Sequence, residues 1–298
     1  MKRKLIKQKS AYTITLPIEW IRENNLEAKD EIELDREKDS LILSSKAKSQ
    51  NKEIKIDLEK GTEDYYRIMI EGPYLRGYDK MTLILPDEKQ INQIQKIVSN
   101  LIGFEITNQK EKLIEITQTA EPTEEQFKNL FERTINIIDY TQETLKESFE
   151  KNSFKELEEI KSQKDDARRF LLFCTRTLYK KRITTREDET FMHLLLERLI
   201  LIEHNYSYLY EMLSKISKPK ILNKSKDLLE TTTEMFNLFK KMLFKKQIKN
   251  FSKINELWKK IYFSTPKSET KEEEIINYHL KYLSKLIFLI SQPNLTIY

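Results

Sequence analysis

The sequence predicts a multidomain α+β protein in three parts: a small β-hairpin domain, a small α/β domain and an all-helical region. Three observations lead to this prediction. Residues 1–48 contain short alternating strands, residues 49–120 mix strand and helix patterns, and residues 121–298 show only helical periodicity. All four glycines lie between positions 61 and 103, so the last part lacks the residue that tight β turns most often need.

The first part, residues 1–48, is expected to form a strand, a short helix and a hairpin. Pro17 suits the first turn of a helix, and Asn24-Asn25 suits its end because asparagine tolerates left-handed geometry. DEIELD and SLILSS flank a polar turn at 35–39 and predict the hairpin. A unit this small has a marginal core, so dimerisation is expected. One strand face collects side chains at a two-residue period: Tyr12, Ile14 and Leu16.

The second part, residues 49–120, is predicted to be a small α/β domain. The segments EIKIDL, KMTLIL, FEITNQ and KLIEITQ are strands, and the last two pair. One helix, TEDYYRIMIEGPYLRGY, is expected to break near Gly72-Pro73. A second helix, DEKQINQIQKIVSNLIG, ends at Gly103.

The third part, residues 121–298, is predicted to be six helices. Polar or proline-marked breaks fall around 151–152, 184–185, 218–219, 249–250 and 265–266. The first and fourth helices are expected to be about 28 residues long. The third, FMHLLLERLILIEHNYSYLY, is apolar on most faces over its first half and should be central in a bundle.

A faint internal repeat divides the helical part into two units of three helices. NSFKELEEI at 152–160 resembles KNFSKINEL at 249–257, so that Phe154 corresponds to Phe251. Both segments fall where one helix ends and the next begins.

Composition limits the classes of function. The net charge of +5 is mild, but five of the first ten residues are basic: Lys2, Arg3, Lys4, Lys7 and Lys9. Cys174 is the only cysteine, which favours a reducing cytoplasm. No apolar run approaches the roughly 20 residues that span a bilayer, so no membrane insertion is expected. Glycine-rich phosphate loops, HExxH and nucleophile elbows are absent, and the sequence is not predicted to be an enzyme.

The segment RKLIKQKSAYTITLPIEWIRENNLEAKDEIEL, at 3–34, resembles the AbrB/SpoVT swapped-hairpin DNA-binding domain. The resemblance includes the basic first strand, the strand ending at Pro17, and Trp20. It implies a domain-swapped dimer that binds DNA. The family usually has glycine where Lys9 and Lys29 stand, so these turns must form without glycine or differ in shape.

The rest of the chain resembles archaeal PhoU-like phosphate-uptake regulators. YLRGYD at 74–79 and LIGFEI at 101–106 are similar to the middle region of that family, and the six helices are similar to its bundle by layout. The resemblance implies a regulator connected with phosphate uptake, whose helical half binds a signal or a protein partner.

PhoU bundles often bind metal through an E-x-x-x-D pattern in each repeat, and this sequence departs from that pattern. Arg168 and Ser207 stand where two of the aspartates would lie, and lysines follow Glu256. Oxygen-ligand metal sites need several converging carboxylates. No metal and no cofactor is therefore predicted, although scattered candidates remain: Asp165, Asp166, Glu203 and His204.

The basic arm gives the predicted DNA-binding residues: Lys2, Arg3, Lys4, Lys7, Lys9, Ser10, Tyr12 and Thr13. The lysines and the arginine would neutralise phosphates, and the hydroxyls could contact phosphates or bases. Tyr12 could equally pack in the dimer core, and Trp20 is expected to be a core or interface anchor.

The remaining singular residues are interpreted structurally. His193, Cys174 and Trp258 are expected in the core. Glu203 and His204 are neighbours on one helix and should not face each other. His279 stands alone in the sequence of the last helix.

Two hypotheses of function follow. In the first, the chain is a homodimeric DNA-binding transcriptional regulator whose helical half binds a signal or partner. In the alternative, it is a non-enzymatic interaction module that docks on a transporter or signalling protein, and the hairpin domain only dimerises. A metal-carboxylate bundle is a third, weaker interpretation.

Overall fold

The computed structural model describes residues 2–37, 40–45, 52–181, 183, 186–217, 219–264 and 268–292. The chain divides into two compact units, Met1–Glu53 and Ile54–Tyr298. The fold class is as predicted: a small hairpin unit, then a mixed α/β sheet, then a helical region.

The first unit consists of two antiparallel hairpins joined by a short helix. Strands β1 (Ile6–Gln8) and β2 (Ala11–Thr13) pair first, and β3 (Ile32–Glu37) pairs with β4 (Ser40–Ser45). Helix α1, Ile18–Glu23, lies between them and follows Pro17. Asn24 caps α1 and Asn25 has a φ of 51°, which confirms the predicted end of this helix. The second hairpin is also confirmed, although residues 38 and 39 of its turn lie outside the described part of the chain.

The α/β part of the second unit is a four-stranded sheet. Its strands are β5 (Glu53–Asp57), β6 (Lys80–Ile84), β7 (Phe104–Lys110) and β8 (Leu113–Gln118), in the order β5-β6-β8-β7. The β7–β8 and β6–β8 pairs are antiparallel. Helices α2 (Glu63–Leu75) and α3 (Ile91–Ser99) share one apolar core with these strands.

The predicted break in α2 at Gly72-Pro73 is wrong, because the helix continues through Pro73 to Leu75. Pro73 removes one helical hydrogen bond, but Gly72 before it has no Cβ atom for the proline ring to crowd. The chain leaves the helix at Gly77, whose φ of 76° suits glycine. A Cβ atom at this position would lie 2.9 Å from the Tyr179 ring.

Six helices form the remainder of the second unit as described. They are α4 (Glu124–Lys151), α5 (Leu157–Lys180), α6 (Arg186–Ser214), α7 (Asn223–Lys245), α8 (Asn250–Phe263) and α9 (Lys271–Ser291). Helix α4 has the expected length of 28 residues. Helix α7 has 23 rather than about 28, since it begins only after Leu222 and ends where Lys246 turns left-handed.

The helices pack as two groups of three. Each of α4, α5 and α6 contacts the other two, and so does each of α7, α8 and α9. The groups meet through equivalent members, α4 against α7 and α6 against α9. This arrangement agrees with the internal repeat. Helix α6 contacts α4, α5 and α9 and buries one side from Leu195 to Leu213, so its predicted central position is confirmed.

Helix α5 joins the bundle to the sheet through the Arg176 cluster, which consists of Arg176, Tyr74, Asp79, Gln118 and Lys180. The buried guanidinium of Arg176 donates to the Tyr74 carbonyl oxygen at 2.6 Å and to Asp79 Oδ1 at 3.1 Å. It also donates to Gln118, and Lys180 pairs with Asp79. The segment YLRGYD therefore supplies two members of the cluster.

Candidate nucleic-acid interface

The first hairpin presents the predicted DNA-binding residues to solvent. Its register places Lys7 opposite Tyr12 and Ile6 opposite Thr13. Thr13 Oγ1 donates to the Ile6 carbonyl oxygen at 3.3 Å, which links the two strands. Within this unit the predicted residues are all exposed. Lys7, Lys9, Ser10, Tyr12 and Thr13 lie on the two strands and their turn, whereas Lys2, Arg3 and Lys4 precede β1.

The tips of the turns are formed by lysines in a backbone conformation that favours glycine. Lys9 has a φ of 51° and Lys29 a φ of 87°. Both loops therefore keep the left-handed backbone geometry, although this conformation is strained for a residue with a Cβ atom. At Lys9 the consequence is an additional ammonium group at the tip of the basic hairpin.

Charge is strongly separated along the first unit. Residues 2–10 carry five cations and no carboxylate, whereas residues 19–39 carry nine acids and four cations. A phosphate backbone would be attracted to the first segment and repelled by the second. The sequence of the unit thus limits the surface that could meet DNA to the first hairpin.

The first unit buries none of its described residues. Several large apolar side chains are exposed instead: Leu5, Ile6, Tyr12, Ile14, Ile18, Leu34 and Leu41. Trp20 is only half-buried. Exposed apolar side chains at this density are typical of an association surface rather than of an independent domain. The sequence analysis did not identify Leu34 and Leu41 as part of this exposed apolar surface. Their positions in the alternating patterns of β3 and β4 could have indicated it.

The predicted metal candidates do not converge. Asp165 is exposed, Asp166 pairs with Arg169 at 2.9 Å, and Glu203 is fully buried on α6. Across the described ranges, no group of three or more histidine, cysteine, aspartate or glutamate side chains could hold a metal ion.

Glu203 is instead part of a buried hydrogen-bond group between α4 and α6. Thr141 Oγ1 donates to Glu203 Oε1 at 3.1 Å, and Ser207 Oγ donates to the same atom at 3.0 Å. Oε2 is buried without a hydrogen bond. Burial raises the pKa of Glu203 to about 8, so the carboxyl group is largely protonated at neutral pH.

His204 faces away from Glu203, as expected for neighbours on a helix. Burial and the positive charges of Lys164 and Arg168 lower the pKa of its imidazole to about 4. Cys174 is fully buried as predicted, and burial raises the pKa of its thiol.

One histidine prediction is wrong. His193 is not in the core, since its side chain is 35% exposed and lies 3.9 Å from Glu189. It lies about two turns into α6, before the buried stretch that begins at Leu195. His279 is the one histidine of α9, as the sequence indicated, and its Nδ1 lies 2.7 Å from Asn205 Oδ1 on α6. Trp258 is partly buried and stacks on Phe288 with the ring centroids 4.3 Å apart.

Comparison with protein families assigns the first unit. Residues 5–52 match the family described as "Antidote-toxin recognition MazE, bacterial antitoxin". The first unit is therefore a MazE/AbrB-type swapped-hairpin domain, a type that binds DNA and dimerises. No curated protein and no solved structure matches the chain. The resemblance of the helical region to PhoU thus stays a prediction. Among the described residues, no helix is long and apolar enough to cross a membrane.

Proposed function

We propose that this chain is a homodimeric, DNA-binding transcriptional regulator of the cytoplasm, without catalytic activity. The main support is the first hairpin with the segment before it, which together present five exposed cations and no carboxylate, next to and within the MazE-type match that begins at residue 5. Lys2, Arg3, Lys4, Lys7 and Lys9 neutralise phosphates. The hydroxyls of Ser10, Tyr12 and Thr13 add phosphate or base contacts from the first hairpin.

Dimerisation completes the first unit in this proposal. The described residues of one copy form no buried core, and seven large apolar side chains are exposed. A second copy would cover them, and it would bring two basic hairpins together with about ten positive charges.

The helical region is the regulatory half in this proposal. Its two groups of three helices support the PhoU-like assignment by layout, and the proposed pathway is phosphate uptake. A signal or protein partner that binds one dimer arrangement more tightly than another would shift the population of the DNA-binding form.

A titration of the full chain with promoter and mixed-sequence duplexes at two salt concentrations tests DNA binding. Neutralisation of roughly six phosphates gives a log–log salt slope of about −5, so fourfold more salt weakens binding about 10³-fold. Absence of binding at low salt, or affinity that does not depend on salt, contradicts the proposal.

Charge reversal separates this proposal from the interaction-module alternative. Changing Lys2, Arg3 and Lys4 to Glu should abolish DNA binding and leave the dimer intact. The matched control reverses three exposed lysines of the helical region, Lys241, Lys259 and Lys285, and should retain binding. If regulation in the cell survives the first change, the hairpin unit serves only to dimerise and the alternative is correct.

A further inference from the structure

The second unit contains a cleft where α2 and α3 of the α/β part meet α5 of the bundle. We call it the α2–α3–α5 cleft. Its volume is about 190 Å³. Sites for drug-sized ligands usually measure roughly 300–1,000 Å³, so this cleft suits a smaller ligand. Its lining is rich in cations: Arg67, Lys96, Lys164, Arg168 and Arg169.

The cations exceed the carboxylates that line the same cleft. Three carboxylates, Glu63, Glu71 and Asp165, stand against the five cations, which leaves two positive charges. Among the described residues, neither the Lys96 nor the Lys164 ammonium has a carboxylate within ion-pair distance; Lys164 Nζ lies over the Tyr208 ring, 5.6 Å from its centroid.

The carboxylates around the cleft do not use all the N–H donors of its arginines. Arg67 pairs with Asp64 at 2.8 Å and Arg169 with Asp166 at 2.9 Å, and neither aspartate lines the cleft. Arg67 also lies 3.8 Å from Glu63, which does line it. The Arg169 Nε atom is buried and has no hydrogen-bond partner. Arg168 pairs with Glu71, whose pKa burial raises despite this contact. A guanidinium group has five N–H donors, and one carboxylate does not use them all.

His204 on α6 lies close to the cations of the cleft. Its Nε2 atom is buried without a hydrogen-bond partner. Burial lowers the pKa of its imidazole, and so do the charges of three cleft cations, Lys164, Arg168 and Arg67. These three cations therefore lie close enough to α6 to disfavour the charged imidazole, and no carboxylate is among the causes of the shift.

We infer that the α2–α3–α5 cleft binds a small phosphate-type dianion, either inorganic phosphate or the phosphate group of a phosphomonoester. Lys96 of α3 and Lys164 of α5 supply ammonium charges without a carboxylate partner among the described residues. Arg67 and Arg168 supply guanidinium donors, which match tetrahedral oxyanions in geometry. The bound anion would contact both the α/β part and the helical bundle. This inference is independent of DNA binding by the first hairpin.

Calorimetric titration of the full chain in phosphate-free buffer of low salt tests the site. Inorganic phosphate and AMP are the probes. Saturable binding of one anion per chain is expected, and the tighter probe identifies the source of the phosphate group. Lys164→Glu and Lys96→Glu should each weaken binding about tenfold or more, since each replaces an attraction by a repulsion.

Two controls exclude non-specific charge effects. Lys259→Glu makes the same charge change on α8 and should leave the affinity within about twofold. Reversal of Lys2, Arg3 and Lys4 should leave phosphate binding unchanged even though DNA binding is lost. Circular dichroism and thermal unfolding verify that the Lys96 and Lys164 variants are folded, and Lys164→Gln provides a milder substitution.

The pKa of the His204 imidazole gives a second measurement of phosphate binding that is independent of calorimetry. Phosphate should raise its pKa, measured by NMR titration, because a bound dianion offsets the charges of Lys164 and Arg168. Absence of saturable binding overturns the inference. So does equal weakening by Lys259→Glu and Lys164→Glu, or a His204 pKa that does not respond to saturating phosphate.

Discussion

At the scale of single residues, Lys9 combines backbone strain with a charge at the tip of the first hairpin. Its φ of 51° is costly for a residue with a Cβ atom, by roughly 1–2 kcal/mol. The sequence alone left two alternatives for this turn, a retained left-handed shape or a different loop. The structure shows the first alternative, so the chain keeps the loop geometry without glycine.

Lys9→Gly should stabilise the first hairpin by about 0.5–1 kcal/mol, because relief of the strain exceeds the added entropy of the unfolded chain. The matched control is Lys7→Gly. It removes the same charge from the middle of β1 and should destabilise the hairpin by about 0.5–1 kcal/mol. Hydrogen exchange of the β1 and β2 amides measures both. Equal effects of the two substitutions would contradict this assignment of strain.

Glu203 makes the stability of the second unit depend on pH. Its folded-state pKa of about 8 lies above the ordinary value of 4.5. Between these values the folded state binds more protons than the unfolded state. The free energy of unfolding attributable to this group therefore falls as pH rises, by at most about 1.4 kcal/mol per pH unit.

Glu203→Gln should remove this pH dependence. The amide retains an oxygen that can accept from Thr141 and Ser207, and it does not titrate. The stability of the variant relative to the natural chain should rise from pH 5 to pH 8, measured by urea unfolding. Glu158→Gln, at a side chain that is 87% exposed on α5, is the control and should give a parallel curve. Parallel curves for both variants would contradict the buried, protonated state of Glu203.

At the scale of elements, helix α5 connects the sheet with the bundle. One part of it carries Arg176 and Lys180, which bind Asp79 and Gln118 of the α/β part. Its earlier turns carry Lys164 and Arg168, which line the α2–α3–α5 cleft. The spacing of four residues between Lys164 and Arg168 places both on one helix face. The spacing can be recognised in the sequence, but it does not show that Arg67 of α2 and Lys96 of α3 line the same cleft.

Arg176→Ala should destabilise the second unit by about 3–5 kcal/mol. It removes the strongest donor to the Tyr74 carbonyl and to Gln118, which keep only the Gly77 N–H and Lys180, and it reduces the charge compensation of buried Asp79. The control is Lys181→Ala, which removes an exposed pair with Glu121 and should cost less than about 0.5 kcal/mol. Denaturant unfolding compares the two. A similar small loss for both would show that the Arg176 cluster does not hold α5 to the sheet.

At the scale of the whole molecule, the two units differ in how they obtain a core. The second unit buries apolar side chains around its sheet and between its helices. The first unit buries none of its described residues and exposes apolar side chains on both hairpins and α1. Its stability is therefore expected to depend on association, and the protein should lose DNA binding when it becomes monomeric.

Ile14→Asp should convert the dimer into a monomer, because it places a charge in the apolar surface that a second copy would cover. Ile68→Asp is the control: Ile68 is 69% exposed on α2, compared with 51% for Ile14, and its change should leave the dimer intact. Light scattering during size-exclusion chromatography measures the masses. A dimer that persists with Ile14→Asp would exclude the first hairpin from the interface.

The secondary-structure elements could be predicted from the sequence, since these depend on local periodicity and on residues that begin or end a helix. It located the second hairpin, the four strands of the sheet and six helices, and it identified the basic arm. The pairing of β1 with β2 was implied only by the family resemblance. The sequence did not predict that α2 continues through Pro73, because packing of Ile70 and Tyr74 in the core outweighs the local cost of one proline. Nor did it predict the environments of His193 and His279.

Contacts between distant side chains became known only from the packing of the elements. Arg176 contacts residues about 100 positions away, and Lys164 shares a cleft with Arg67 and Lys96 from two other helices. Burial likewise decided that Glu203 is a protonated acid among hydroxyl groups and not a metal ligand among carboxylates. Charge and periodicity follow directly from the order of the residues. The pKa values, the cation-rich cleft and the buried ion pairs depend instead on how separate elements pack.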